Sequence, residues 1–174
     1  MTDEQILQNI KTRRSVRAYR SDPVPEELLD KVLEAGTWAP TGMGRQSPVI
    51  IAVKDKVTRD KLMKMNAAVM GTDADPYYGA PVIVLVLADK NASTHIQDAS
   101  CVLQNMMLAA HAVGLASVWV NREKEMFASP EGKALLAAWG LDENLEGVGS
   151  IALGYAAAPP APAKPRKQGY IMKI

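Results

Sequence analysis

The sequence of 174 residues is poor in cysteine, histidine and aromatic residues. Its single cysteine, Cys101, cannot form an internal disulfide, a CxxC redox pair or a zinc cluster. This usage favours a reducing compartment, so we expect a cytoplasmic protein. No apolar run reaches the roughly 18 residues that a membrane span needs, and the N-terminus has acids where a signal peptide carries basic residues. We therefore predict neither membrane association nor a targeting segment.

The motifs of several enzyme classes are also missing. There is no HExxH, GxSxG or GxxxxGK, and the loop TGMGRQS lacks the third glycine of a dinucleotide-binding turn and precedes its strand. The two histidines, His95 and His111, have no partner in sequence, which favours structural or capping roles over catalysis or metal binding. No catalytic side chain or metal ligand is therefore predicted, and any enzyme activity would depend on a bound cofactor.

Charge is nearly balanced along the whole chain but is unevenly distributed. The 20 Lys and Arg residues against 19 Asp and Glu residues give a net charge of +1, which provides no general attraction to nucleic acid or to an anionic membrane. Residues 11–20 carry five positive charges and residues 159–174 carry four, and neither segment contains an acid. Without these nine cations the rest of the chain has a net charge of −8. Two local cationic segments thus flank an acidic body.

The length and the hydrophobic pattern predict one compact domain in which helices pack on a sheet. Helices are predicted at residues 3–12, from Pro25 to near Gly36, at 56–70, at 98–114 and around 129–139. Strands are predicted at 48–53, 81–88, 116–120 and 147–155. The remaining tail is rich in proline and alanine and has too little apolar content for a core of its own.

Three of these elements carry further expectations. In the first helix we expect Leu7 and Ile10 to point inward. The continuous β-branched runs at 48–53 and 81–88 are typical of strands that are buried on both faces. The helix at 98–114 is apolar on nearly all sides, so it must be central or shared with a second subunit.

The basic segment IKTRRSVRAYRSDPVP contains a pattern that suits an anion. If residues 13–17 are extended, Arg13, Ser15 and Arg17 share one face while Arg14 and Val16 turn away. Two guanidinium groups beside a hydroxyl suit a phosphate or an anionic, carbonyl-rich ring. A solvated edge and a nucleic-acid arm are the alternatives, although an aromatic content of 5% offers no platform for stacking bases.

Four motifs in their order along the chain resemble the nitroreductase family of FMN-dependent oxidoreductases. They are RRSVR at 13–17, APTGMGRQSP at 39–48, DASCVLQNMMLAAHAVGLASVWV at 98–120, and GSIALGYAAAPPAPAKPRK at 149–167. The resemblance implies an α+β fold of three layers, with a central, mostly antiparallel sheet flanked by helices. It also implies an intertwined homodimer with FMN at the subunit interface. Residues 1–155 would form the FMN-binding domain, and 156–174 an extension that completes the flavin phosphate site.

The resemblance also implies the residues that bind the cofactor. They are Arg13, Arg14, Ser15 and Arg17 for the phosphate, ribityl chain and pyrimidine edge; Gln46 and Asn66 beside the ring; Asn121 and Arg122 near flavin N5; and Lys164 and Arg166 closing on the phosphate. The loop departs from the usual family pattern at Gly44 and at Ser47-Pro48. Candidate residues for a lid over the pocket are Trp38, Met43, Tyr77 and Tyr78.

The function that the resemblance implies is a two-step transfer of hydride. NADH or NADPH would reduce FMN and leave, and a small electron-poor acceptor such as a nitroaromatic or a quinone would then take its place. The alternatives are a relative with another reductive task, such as dehalogenation or ene reduction, and a module that binds FMN without efficient hydride transfer.

Overall fold

The structure of the chain, a computed structural model, describes residues 2–174. Within this range the helices are α1 (Asp3–Thr12), α2 (Glu26–Thr37), α3 (Lys56–Met70), α4 (His95–Ala112), α5 (Glu123–Ala128) and α6 (Pro130–Ala138), with a short 3-10 turn at Gly42–Gly44. The strands are β1 (Pro48–Val53), β2 (Val82–Asp89), β3 (Ala116–Val120) and β4 (Leu145–Gly154). They form one sheet in the order β1-β2-β4-β3, and every neighbouring pair is antiparallel. The predicted mixed fold with an antiparallel sheet is confirmed.

Strand β2 lies inside the sheet and is buried on both faces. Val84 and Val86 belong to a core cluster with residues of α2 and α4, whereas Ile83 and Leu85 belong to a second cluster with residues of α3, α5 and α6. Successive side chains of a strand point to opposite faces, so a continuous apolar run requires a helical layer on each side. The result is the predicted sandwich of helices, sheet and helices.

Several boundaries differ from the predictions for physical reasons. Strand β1 is an edge strand and is mostly half-buried, so the expectation that it is buried on both faces was wrong. Helix α5 was missed because its six residues, EKEMFA, are too short to show a helical period. Helix α4 begins at His95, three residues before the predicted start, and β4 begins at Leu145.

The expectation that Leu7 and Ile10 of α1 point inward is also wrong for this chain. Both side chains are about half exposed, as is Ile6. The helix begins at Asp3 as predicted, and the hydroxyl of its cap residue Thr2 accepts a hydrogen bond from the backbone N–H of Gln5. Helix α1 nevertheless has no buried residue, because its apolar side is left uncovered by the rest of the chain.

The polypeptide after β4 has neither helix nor strand. Residues 157–174 are exposed throughout, and Tyr170, Ile171, Met172 and Ile174 are the large apolar side chains among them. Among the described residues, none of the helices is at once long and apolar enough to cross a membrane.

The junction between α5 and α6 fixes the position of α5. The hydroxyl of Ser129 caps α6 by accepting a hydrogen bond from the N–H of Gly132 at 3.1 Å. A Cβ atom on Gly132 would lie 2.1 Å from the carbonyl oxygen of Met126 and 2.5 Å from the Cα of Phe127. Only glycine allows the two helix backbones to approach so closely.

We predict that Gly132→Ala destabilises the protein by about 2 kcal/mol. Alanine favours a helix by about 1 kcal/mol over glycine, but here the added methyl group overlaps backbone atoms that cannot move aside. Urea unfolding followed by circular dichroism measures the loss.

The matched control is Gly36→Ala in α2, where the added methyl group would lie 2.9 Å from the side-chain atoms Ile50 Cδ1 and Met106 Cγ. Side chains of this kind can shift, so this variant should lose less stability than Gly132→Ala. Equal stability of Gly132→Ala and the unaltered protein would contradict the close approach of α5 and α6.

Candidate functional site

The segment of residues 13–17, which we call the arginine arm, lies along the outer edge of β3. Ser15 forms a parallel bridge with Ser117, and the N–H of Val16 donates to the carbonyl oxygen of Ser117 at 3.1 Å. Val16 is buried against the sheet, whereas Ser15 and Arg17 are exposed. The arm is therefore extended, and Ser15, Val16 and Arg17 alternate between solvent and core as the sequence predicts. The alternation does not reach Arg13, because Arg13 and Arg14 are both half-buried and line the same cleft.

Tyr19 anchors the arm to the end of the sheet. Its hydroxyl lies 2.8 Å from the carbonyl oxygen of Val16 and 3.0 Å from that of Ala152. Burial raises the pKa of the Tyr19 phenol, so the hydroxyl keeps its proton and remains a donor. The N–H of Arg20 adds a bond to the carbonyl oxygen of Tyr155 at 2.9 Å. These contacts place the arm where β3 begins and β4 ends.

A cleft of about 280 Å³ runs beside the arm. Its polar lining includes Arg13, Arg14, His111 and Ser117. Arg13 is half-buried, and within residues 2–174 its Nη1 is buried without a hydrogen-bond partner. Burial, with a contribution from the charge of Arg14, lowers the pKa of Arg13, but a guanidinium remains charged at neutral pH. A buried cationic donor that lacks an acceptor is costly, which favours an anion in this cleft.

The other basic side chains of the cleft, Arg14 and His111, already make hydrogen bonds within the chain. Arg14 Nη1 donates to the carbonyl oxygens of Lys11 at 2.8 Å and of Arg13 at 2.6 Å. His111 Nε2 lies 2.8 Å from the hydroxyl of Thr12. Burial, followed by the charges of Arg13 and Arg14, lowers the pKa of His111, so this imidazole is neutral at pH 7. Arg13 thus has the most unused hydrogen-bonding capacity.

A second cluster of polar residues lies where β3 ends. Hydrogen bonds there connect three of the predicted residues, Asn66, Asn121 and Arg122. Asn66 Nδ2 donates to the carbonyl oxygen of Asn121 at 2.9 Å and to the hydroxyl of Tyr77 at 3.2 Å. Asn66 Oδ1 accepts a hydrogen bond from Arg122 Nε at 2.8 Å. Both N–H donors of this buried amide are therefore occupied, and one lone pair of Oδ1 is left. Arg122 has a φ of 88°, so these bonds hold its backbone in a strained conformation.

The network continues into the core at Glu123, which sequence reasoning missed. Glu123 is fully buried, and its Oε1 accepts hydrogen bonds from the hydroxyls of Tyr77 at 3.3 Å and of Ser150. Burial raises the pKa of the Glu123 carboxyl to about 7. Its position among charged residues at the start of a short helix gave no sign of burial. The expectation that Tyr77 belongs to a lid was wrong, because this side chain is fully buried.

The two clusters lie at opposite ends of one strand. Ser117 pairs with the arm, and Asn121 follows β3 directly. The four residue steps from Ser117 to Asn121 span about 13 Å in an extended strand. A long ligand with an anion at one end and a hydrogen-bonding ring at the other would fit this spacing.

The structure leaves three of the predicted residues away from both clusters. Gln46 is exposed in the loop before β1, where its N–H donates to the hydroxyl of Thr41 at 3.0 Å. Lys164 and Arg166 lie in the exposed tail, and neither makes a hydrogen bond or ion pair with another residue of the part described. The tail begins beside the arm, where the N–H of Ala157 donates to the carbonyl oxygen of Ala18 at 2.9 Å and Pro160 lines the cleft. Within a single chain, however, its Lys164 and Arg166 make no polar contact with the arm.

The loop of Gln46 is held by a buried acid that sequence reasoning also missed. Asp98 Oδ1 accepts a hydrogen bond from the N–H of Gly42 at 3.0 Å, and its Oδ2 accepts one from the hydroxyl of Thr94 at 3.1 Å. Asp98 is almost fully buried on α4. The loop is thus attached to the central helix rather than to the arm.

The chain is similar to a known protein family along most of its length. The family model described as "Nitroreductase family" matches residues 10–76 and 70–155. A protein of Archaeoglobus fulgidus, provisionally named an NADH dehydrogenase/NAD(P)H nitroreductase, is 33% identical over 87% of this chain and 86% of its own length. A protein of Methanothermobacter thermautotrophicus with the same provisional name is 35% identical over 67% of this chain, and the match spans only 60% of that relative.

A solved structure extends the comparison to the whole fold. A nitroreductase from Bacteroides fragilis with bound FMN superposes with a TM-score of 0.90 at 34% identity, over 99% of this chain and 100% of that protein. The similarity therefore covers the arginine arm, the sheet and the tail together. Because the family model and the Archaeoglobus fulgidus relative agree with this superposition, the chain belongs to the nitroreductase family.

Proposed function

We propose that this protein is an FMN-dependent oxidoreductase that uses NADH or NADPH to reduce a small, electron-poor acceptor such as a nitroaromatic or a quinone. The observation that carries the proposal is the buried, unpartnered Nη1 of Arg13 in the cleft beside the arginine arm. A cationic donor in this position fits the phosphate of FMN, and the FMN-bound relative has the same fold over its full length.

The arginine arm would hold the phosphate. A phosphate monoester carries close to two negative charges at pH 7, and it would give Arg13 Nη1 the acceptor that the chain itself does not provide. Arg14 and Ser15 lie on either side of the same backbone and would add donors. In this proposal residues 1–155 form the FMN-binding domain, and Lys164 and Arg166 of the extension 156–174 close on the phosphate.

The second cluster would hold the flavin ring. Arg122 and the backbone at Asn121 are fixed by the Asn66 amide, so they can present hydrogen-bonding groups in a constant position. Arg17 is exposed on the same face of the arm as Ser15 and would place a positive charge near the pyrimidine edge. Gln46 would reach the ring from its loop.

Bound FMN would supply the redox chemistry by accepting a hydride from the nicotinamide and passing it to the acceptor in a ping-pong cycle. The tasks of the chain are then to bind, orient and tune the cofactor. This division of labour requires no catalytic acid or base among the residues of the chain.

The protein would act as a homodimer. The half-exposed apolar side of α1 borders a groove of about 550 Å³ that is lined by Ile6, Ile10, Leu108 and Ala109. Contiguous exposed apolar side chains on a pair of helices are typical of a subunit interface. In an intertwined dimer the partner's tail could bring Lys164 and Arg166 to the phosphate, which they do not reach within one chain.

We predict that Arg13→Ala and Arg166→Ala each weaken FMN binding by about 1.5–3 kcal/mol, the usual contribution of a hydrogen bond to a charged group. Titration of the apoprotein with FMN, followed by quenching of flavin fluorescence, measures the affinity.

The control is Arg20→Ala, because Arg20 is exposed and already paired with Asp22 at 2.8 Å. This variant should bind FMN as the unaltered protein does. Riboflavin, which lacks the phosphate, should bind equally to the unaltered protein and to Arg13→Ala. Unchanged FMN affinity in both Arg13→Ala and Arg166→Ala would reject the phosphate site.

We also expect anaerobic NADH or NADPH to bleach the absorbance of bound flavin, and a later addition of a quinone or nitroaromatic to restore it. Because reductant and acceptor would use the same site in turn, double-reciprocal plots should give parallel lines. Stopped-flow absorbance and steady-state rates measure the two effects. A flavin that neither nicotinamide bleaches would indicate a binding module instead.

For the dimer, we predict a solution mass of twice the 18.8 kDa of the chain. Ile10→Asp should yield monomers, because it places a charge in the apolar groove. Val57→Asp is the control, since Val57 on α3 is 78% exposed and lies outside the groove. Sedimentation at micromolar concentration measures the mass, and a monomeric unaltered protein would disprove the dimer.

A further inference from the structure

Glu123 is a buried acid to which the proposed hydride transfer assigns no role. Its side chain is fully buried, and within residues 2–174 its Oε2 has no hydrogen-bond partner. No ion pair to Glu123 is found among the described residues, although Arg122 is close enough to lower its pKa slightly against the larger effect of burial. An unpaired carboxyl in a core reduces stability, and a glutamine of the same shape would avoid that cost.

The groups around Glu123 connect it to the surface of the site. Tyr77 and Ser150 donate to its Oε1, and the same Tyr77 hydroxyl accepts a hydrogen bond from Asn66. Asn66 in turn holds the carbonyl oxygen of Asn121 and the guanidinium of Arg122. Only two hydrogen-bonded residues therefore separate the buried acid from the loop that would face the flavin ring.

The titratable groups that act on Glu123 leave it free to change charge near neutral pH. Tyr77 and Arg122 are the titratable neighbours that affect its pKa. Burial raises the pKa of the Tyr77 phenol, and a guanidinium does not lose its proton, so neither changes charge between about pH 6 and pH 9. Glu123 is thus the group in this network that can take up or release a proton.

We propose that Glu123 is a positioning residue that stores one proton, taking it up when negative charge arrives beside Asn66 and Arg122 and releasing it when that charge leaves. This inference rests on the proposed function. The nicotinamide would supply two electrons and one proton as hydride, and solvent would supply the separate proton that binds to Glu123. When the acceptor takes away the two electrons and the proton of the hydride, Glu123 would return its separate, stored proton to solvent.

The expected size of the effect follows from Coulomb's law. A unit charge that appears within about 10 Å, at an effective dielectric constant of about 20, changes the proton affinity of a buried carboxyl about tenfold. Protonation of Glu123 also removes the negative charge that competes with the ring for Arg122. The loop at Asn121 and Arg122 therefore keeps the same hydrogen bonds to Asn66. The summed charge of Arg122 and Glu123 becomes more positive when the flavin ring beside them becomes negative.

The first test counts protons when FMN-loaded protein is reduced by NADH in weakly buffered solution with a pH indicator. For a tenfold change centred near pH 7.5, the unaltered protein should take up about half a proton per flavin more than Glu123→Gln. Ser150→Ala keeps the acid but removes a donor to its Oε1, so the extra uptake should move to higher pH. If Glu123 served only in packing, Glu123→Gln would take up as many protons as the unaltered protein, and Ser150→Ala would not move the uptake to higher pH.

A second test needs no variant. Carbon-13 NMR of the Glu123 carboxyl should show a titration midpoint about one pH unit higher with reduced flavin than with oxidised flavin. Identical midpoints, or equal proton uptake by Glu123→Gln and the unaltered protein from about pH 6 to pH 9, would overturn the proposal while leaving the proposed function intact. If the chain does not bind FMN at all, both are rejected.

Protonation of the buried Glu123 should also change the stability of the apoprotein with pH. The pKa of Glu123 is higher in the folded chain than in an unfolded one, so the stabilising protonated form is fully present below about pH 4.5 and is lost as the pH rises through about 7. The urea midpoint should fall over this range in the unaltered protein more than in Glu123→Gln. Parallel pH profiles would show that Glu123 does not titrate there and would overturn the proposal.

Discussion

The burial of β2 on both faces is the constraint on which the rest of the structure depends. Because its side chains alternate between two apolar clusters, the sheet must have a helical layer on each side. Strand β4 shares this central position, and β1 and β3 are left at the edges. The edge strand β3 is then the place where polar groups can gather without disturbing the core.

Both polar clusters lie at the two ends of β3 for this reason. The arginine arm covers its beginning through Ser15 and Ser117, while the loop at Asn121 and Arg122 continues from its end. Each cluster is held by a tyrosine hydroxyl, that of the partly buried Tyr19 for the arm and that of the fully buried Tyr77 for the loop. Tyrosine suits this task, because its ring fills the core while its hydroxyl reaches a backbone or amide group. The site is thus held rigidly by the same packing that stabilises the fold.

Much of the fold could be predicted from the sequence, because long apolar runs and helical periods are local signals. The helix at 56–70 and the strand at 116–120 have the predicted bounds, and the alternation of Ser15, Val16 and Arg17 is observed. The errors concern features that depend on distant contacts. The apolar side of α1 looked like a core face, although this chain does not cover it. Tyr77 could not be recognised as buried, since the residues that surround it come from other parts of the chain.

In the proposed function, the guanidinium of Arg13 in the cleft beside β3 binds the phosphate of FMN. Phosphorus-31 NMR of the bound cofactor tests it most directly, because a phosphate against a buried cation keeps its dianionic form at lower pH than a free one. We expect a resonance that stays at the dianion position from about pH 8 to about pH 5. A bound phosphate that titrates near pH 6, as a free phosphate monoester does, would contradict it.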